Sequence, residues 1–108
     1  MVKYAYTRFS FPIRMINSYG KDIEIVNGWR ATEDLALYKS DNGKKWILTD
    51  LLTGTRIVAR GTRDVCMDWY YEHEKEIAKV REQPWYTQRV MEFLSLLKKE
   101  SEEVNGDN

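Results

Sequence analysis

Cysteine is nearly absent: Cys66 stands alone, so no internal disulfide can staple the chain. A small domain without that staple is expected in a reducing compartment, and the cytoplasm is the simplest location. Histidine is equally scarce. One Cys and one His, His73, fall short of the three or four such ligands that zinc commonly takes, so no metal and no other cofactor is expected. No apolar run approaches the roughly 20 residues of a spanning helix, and none follows Met1 as the core of an export signal. A membrane role is therefore not expected.

Catalytic signatures are missing too. The segment from Gly54 to Gly61 lacks both the spacing and the Lys-Ser/Thr ending of a phosphate-cradling loop. A nucleophile elbow and a calcium loop are absent, and His73-Glu74 has no second histidine at metal spacing. Cys66 and His73 share a helical face but lie roughly 10 Å apart along the axis, beyond the hydrogen-bond reach of a nucleophile and its base. The expectation is that the chain is not an enzyme.

What is present is aromatic and charged. In 108 residues there are 4 Trp, 7 Tyr and 3 Phe, with 43% hydrophobic residues, enough for one aromatic core and too little for two. Residues 1–100 are expected to form a single domain, with 101–108 a frayed polar tail. The net charge of +0 hides a segregation. Residues 1–63 hold 11 Lys/Arg against 6 Asp/Glu, and residues 64–108 reverse those numbers, which predicts surfaces of opposite sign.

The hydrophobic pattern predicts an α+β fold: an antiparallel β-meander of 4–5 strands followed by two C-terminal helices on one sheet face. Alternation at residues 3–10 predicts a first strand stopped by Pro12, and Ser10 with Pro12 can open a short helix over 12–20 that Gly20 closes. Residues 21–26 alternate at period two before Asn27-Gly28, a strong turn signal, with Trp29 to Thr32 beginning the return. Runs at 35–40, 44–50 and 55–60 are separated by turns at Asn42-Gly43 and Thr53-Gly54. Strict alternation would point Leu35, Leu37, Trp46, Leu48, Ile57 and Ala59 to the core, and Tyr38, Lys45, Ile47, Thr49, Arg56, Val58 and Arg60 outward. Thr62 or Asp64 can cap a helix over 63–82, and Pro84 fits the first turn of a second helix.

Three surfaces are candidates for binding. Asp64, Asp68, Glu72 and Glu76 recur every fourth residue, which makes a row of carboxylates on one helix face; such a row is either a solvated face or a dock for a basic partner. Trp85 and Tyr86 sit beside the helix junction, where aromatics form either core or interface anchors, and Met91 and Leu96 widen the apolar stripe of the last helix. On the sheet, Tyr38, Lys45, Arg56, Arg60 and Arg63 would mix cations with an aromatic, the composition of a single-strand nucleic-acid binder.

The segment Leu51 to Asp64, with its Thr-Gly turn, short strand and Gly61-Thr62-Arg63 corner before a helix, resembles short proteins of phages and other mobile elements of Gram-positive bacteria. The resemblance implies no catalytic residues. It implies an accessory role, such as binding and modulating a host or phage protein, with anti-CRISPR-like inhibition as one instance. The leading expectation is a protein-binding protein, monomer or homodimer, that uses the acidic row with Trp85 and Tyr86. A nucleic-acid-binding module on the basic sheet face is the alternative.

Overall fold

The computed structural model describes residues 3–18 and 21–105. Five strands, β1 (Thr7–Ser18), β2 (Lys21–Thr32), β3 (Leu35–Lys39), β4 (Trp46–Asp50) and β5 (Thr55–Arg60), form one antiparallel sheet in the order β1-β2-β3-β4-β5. The helices α1 (Arg63–Glu72), α2 (Glu74–Arg81) and α3 (Pro84–Asn105) follow. The α+β meander read from the hydrophobic pattern is the observed architecture, with three helices in place of two.

The N-terminal third departs from expectation. Pro12 does not stop a strand, and no helix forms over 12–18; β1 continues through Pro12, which pairs with Ile25, to Ser18. β1 is an edge of the sheet, the position where a residue without an N–H is tolerated. Gly20, the expected helix end, lies outside the described residues. Asn27-Gly28 is not a turn but the middle of β2, so the segments read as strand and return strand are one strand. Gly28 is required there because a Cβ would stand 2.0 Å from the Leu37 carbonyl oxygen of β3. The turn falls instead at Glu33-Asp34.

The sheet coils strongly enough for its first strand to meet its far end. The Arg14 N–H donates to the Gly54 carbonyl, 2.8 Å away, in the turn between β4 and β5. Irregular register after Arg14, after Arg30 and between Leu48 and Thr49 supplies local bends of the kind that increase twist. Two clusters result. On one face Leu35, Leu37, Leu48 and Val58 pack under Cys66 and Met67 of α1; on the other, Phe11 and Ile13 of the long hairpin bury Ala36 with Tyr38 and Leu51 alongside. Each fully buried Leu contributes roughly 1.5–3 kcal/mol.

The last irregularity corrects the expected facing of β5. Thr49 pairs with Arg56 and Leu48 with Val58, so Ile57 is an extra residue. Val58 is buried on the α1 face rather than exposed, and Arg60 pairs with Trp46 on that same face. Arg56 stays with Thr49 on the opposite face, so the two arginines are separated.

Thr62 caps α1 as expected: its Oγ1 accepts the Val65 N–H at 3.1 Å. The helix expected over 63–82 is interrupted at His73, whose φ of −111° and ψ of 16° leave the helical region. The His73 ring stacks on Trp69 at 4.0 Å, and its Nδ1 lies 2.8 Å from the Trp69 carbonyl, which binds the corner locally. Pro84 opens α3 as expected, and Tyr86 and Phe93 are its buried anchors. α3 continues as helix to Asn105, where a frayed tail from 101 was expected.

Candidate partner interfaces

The acidic row is partly occupied by the chain itself. The Tyr6 hydroxyl donates to Asp64 at 2.5 Å and the Tyr4 hydroxyl to Asp68 at 2.6 Å, while the Lys3 ammonium lies 2.6 Å from the same Asp68 oxygen. The Lys3 ammonium, then the Tyr4 hydroxyl, hold the Asp68 carboxyl below its ordinary range. Burial, then the bond to Asp64, pushes the Tyr6 phenol upward. Half of the row is thus a dock for residues 3–6. Glu72 and Glu76 are exposed but stand on either side of the His73 break. A four-residue spacing could not show that corner.

The five basic and aromatic candidates on the sheet do not gather on one face. Tyr38, Thr49 and Arg56 line a cleft of about 540 Å³ between the hairpin and β3–β5, and burial pushes the Tyr38 phenol upward. Lys45 is exposed in the turn before β4. Arg60 and Arg63 belong to the α1 face, where the Arg63 guanidinium sits 4.6 Å from the Tyr6 ring, 4.9 Å from Trp29 and 5.2 Å from Trp46. Arg8 approaches Trp29 at 5.1 Å, Lys39 approaches Trp46 at 5.4 Å, and Arg60 approaches Trp69 at 5.9 Å. Cations and indoles therefore alternate across the sheet, each contact contributing about 0.5–1 kcal/mol where exposed. Arg8 and Trp29 escape the sequence reading because β1 and β2 have other extents than the local signals imply, and Lys39 because alternation places it with the core-facing Leu35 and Leu37. The pairing of Arg8 with Trp29 is the signal that would have found them.

Neither family models, nor curated proteins, nor solved structures match this chain.

The third candidate surface divides. Tyr86 is core, its hydroxyl donating to Asp50 Oδ2 at 2.6 Å, whereas Trp85 is 49% exposed. Further along α3, Met91 is 63% and Leu94 58% exposed. At 100° per residue these two share one flank, next to half-buried Val90 and Leu97, while Trp85 lies on the other side of the helix. Leu96, singled out with Met91, is half-buried.

Cys66 is buried, its thiol is pushed up by burial, and its Sγ lies 3.5 Å from the Trp46 carbonyl. Among the described residues no group of three or more His, Cys, Asp or Glu is placed to hold a metal ion. No helix among the described residues is long and apolar enough to cross a membrane.

Proposed function

We propose that this protein acts by contact with another protein, through the flank of α3 that carries Met91 and Leu94, with Val90 and Leu97 at its edge. The observation behind the reading is that α3 has already buried its anchors, Tyr86 and Phe93, yet leaves two large apolar side chains more than half exposed one turn apart. Adjacent exposed apolar residues on a rigid helix are the usual beginning of a protein interface. The contact is accessory in kind, as the resemblance of residues 51–64 to mobile-element proteins implies. Of the acidic row, Glu72 and Glu76 are the carboxylates left to steer a basic partner. The test is capture of a partner from a host lysate, paired with sedimentation of the protein alone. Met91→Glu with Leu94→Glu abolishes capture, or dissociates a dimer if the partner is a second copy. Unchanged capture and unchanged sedimentation remove this flank from the account.

A second reading has its own observation. The alternation of Arg8, Lys39, Arg60 and Arg63 with Trp29, Trp46 and Trp69 supports contact with single-stranded nucleic acid, phosphates on the cations and bases against the rings. It predicts low-salt affinity for an oligonucleotide that falls steeply with ionic strength and on replacing Lys39 and Arg60 by Gln. A flat anisotropy titration at low salt eliminates it.

A further inference from the structure

The indoles on the α1 face are already flanked by the chain's own side chains. Trp29 has the Arg8 guanidinium 5.1 Å and the Arg63 guanidinium 4.9 Å from its ring centre. Arg8 approaches from β1, and Arg63, which also touches Trp46 of β4, approaches from the other side. Trp46 stands between its strand partners Lys39 and Arg60, with the Lys39 ammonium 5.4 Å from its ring. Trp69 has Arg60 at 5.9 Å and the His73 ring stacked on it at 4.0 Å. Little ring face is left on which an incoming base could stack.

The cations, unlike the rings, are uncommitted. Arg8, Lys39 and Arg60 are exposed and Arg63 is half-buried, and none of the four is ion-paired with a carboxylate among the described residues. Arg60 gives one N–H to the Ala59 carbonyl and keeps the rest of its fork. The carboxylates at the start of α1, Asp64 and Asp68, are held by the Tyr6 and Tyr4 hydroxyls and by Lys3. A guanidinium lying over a ring still directs N–H groups outward in its own plane, where they match the oxygens of a phosphate. From β1 to β5 the row crosses four strand spacings, about 19 Å. Phosphates follow one another every ~3.4 Å along each strand of a duplex, so that width faces several of them.

We infer, on the second reading that nucleic acid meets this surface, that the row binds the phosphodiester backbone alone: the four cations take phosphates, and the rings hold the cations in place. Bases meet no more than the rims of the rings, so affinity does not depend on their presence or exposure. A duplex, whose bases are hidden and whose charge is denser, is therefore bound at least as well as a single strand of equal length. No residue of α3 takes part, so the Met91 and Leu94 flank stands or falls independently.

Fluorescence anisotropy on the full chain tests this with three probes of equal length: oligothymidylate, the same phosphodiester chain without bases, and a mixed-sequence duplex. Oligothymidylate tests the underlying reading, and no binding at low salt removes that reading and the backbone-only assignment together. Once it binds, the abasic chain is expected within about fivefold of it, because a single base stacked on an aromatic ring is worth about fivefold or more. Four cation contacts to a single strand predict a slope of log affinity on log salt of about −2.8, a loss of about fiftyfold between about 50 and 200 mM. Arg8→Gln and Lys39→Gln, both at exposed positions, should each flatten that slope by about 0.7 and weaken the abasic chain and oligothymidylate by the same factor. An abasic chain or a duplex more than about fivefold weaker than oligothymidylate shows that bases stack, which overturns the backbone-only assignment and leaves the second reading in place. An unchanged salt slope in both variants places the contact elsewhere and overturns both.

Discussion

The Tyr86 hydroxyl donates to Asp50 Oδ2 at 2.6 Å, joining the first turn of α3 to the last residue of β4 across 36 positions of sequence. Asp50 is only 5% exposed, so water cannot readily replace that donor. Tyr86→Phe leaves a buried acceptor underused and is expected to cost about 1–3 kcal/mol in urea denaturation. Burial, then Asp50, holds the Tyr86 phenol above its ordinary range. The bond's contribution is therefore complete below the ordinary tyrosine range and is lost as pH rises through the raised value. Wild type and Tyr86→Phe should converge in stability in strong base, and a gap independent of pH would refute the assignment.

Gly54 and Gly43 give a matched pair of substitutions. Both have positive φ, +70° and +71°, but a Cβ on Gly54 would meet the Phe93 ring at 2.5 Å and the Arg14 nitrogen at 2.9 Å, whereas a Cβ on Gly43 meets nothing within 4 Å. Gly43→Ala should cost about 1–2 kcal/mol, the conformational penalty alone. Gly54→Ala should cost clearly more, because a backbone atom and a buried ring must also move. Equal losses in thermal melts would mean that α3 does not pack over this turn.

Attachment of residues 3–6 to α1 should depend on pH. The Asp68 pKa is depressed, so its part of the attachment is present above the ordinary carboxylate range and is lost as pH falls through the depressed value. Tyr6 has a raised pKa, so its part is present below the ordinary tyrosine range and is lost as pH rises through the raised value. The Tyr4 and Tyr6 ring resonances should be displaced furthest from their free-chain positions between those limits, because the attachment runs through these side chains, and Asp68→Asn should remove the acid limb alone. An acid limb retained in that variant would assign it to a different carboxylate.

On α3 two apolar truncations should behave oppositely. Phe93 is 1% exposed, and Phe93→Ala should cost about 3–5 kcal/mol. Met91→Ala, at 63% exposure, should stay within about 0.5 kcal/mol of wild type. A large loss for Met91→Ala in the isolated protein would show that its side chain is packed in solution, and the partner-binding flank would lose its basis.

Strands β3 to β5 and the starts of α1 and α3 were legible because their signals are local. Alternating side chains, the turn glycines Gly43 and Gly54, the Thr62 cap and Pro84 each determine backbone conformation within a few residues. The N-terminal third was misread for the same reason. Pro12 and Asn27-Gly28 are local signs of a stop and a turn, but an edge position tolerates the proline, and the close approach of Leu37 explains the glycine. The extra residue at Ile57 then moved Arg60 to the face opposite Arg56, which dissolved the basic patch expected from strict alternation. Neither the box of rings around Arg63 nor the placing of Arg81 between Asp34 and Asp50 has a sequence signature, because each joins elements whose register only the fold determines.

Pro12 has one further consequence for how the molecule behaves at high concentration. An outermost strand of twelve residues is a ready template for a neighbouring chain to zip onto. Here the proline removes one donor, and Gly54 engages the Arg14 N–H, so the open side of β1 is interrupted in two nearby places. Replacing Pro12 by Thr would restore an amide on the strand and should favour edge-to-edge assembly and precipitation, even if the isolated fold became no less stable.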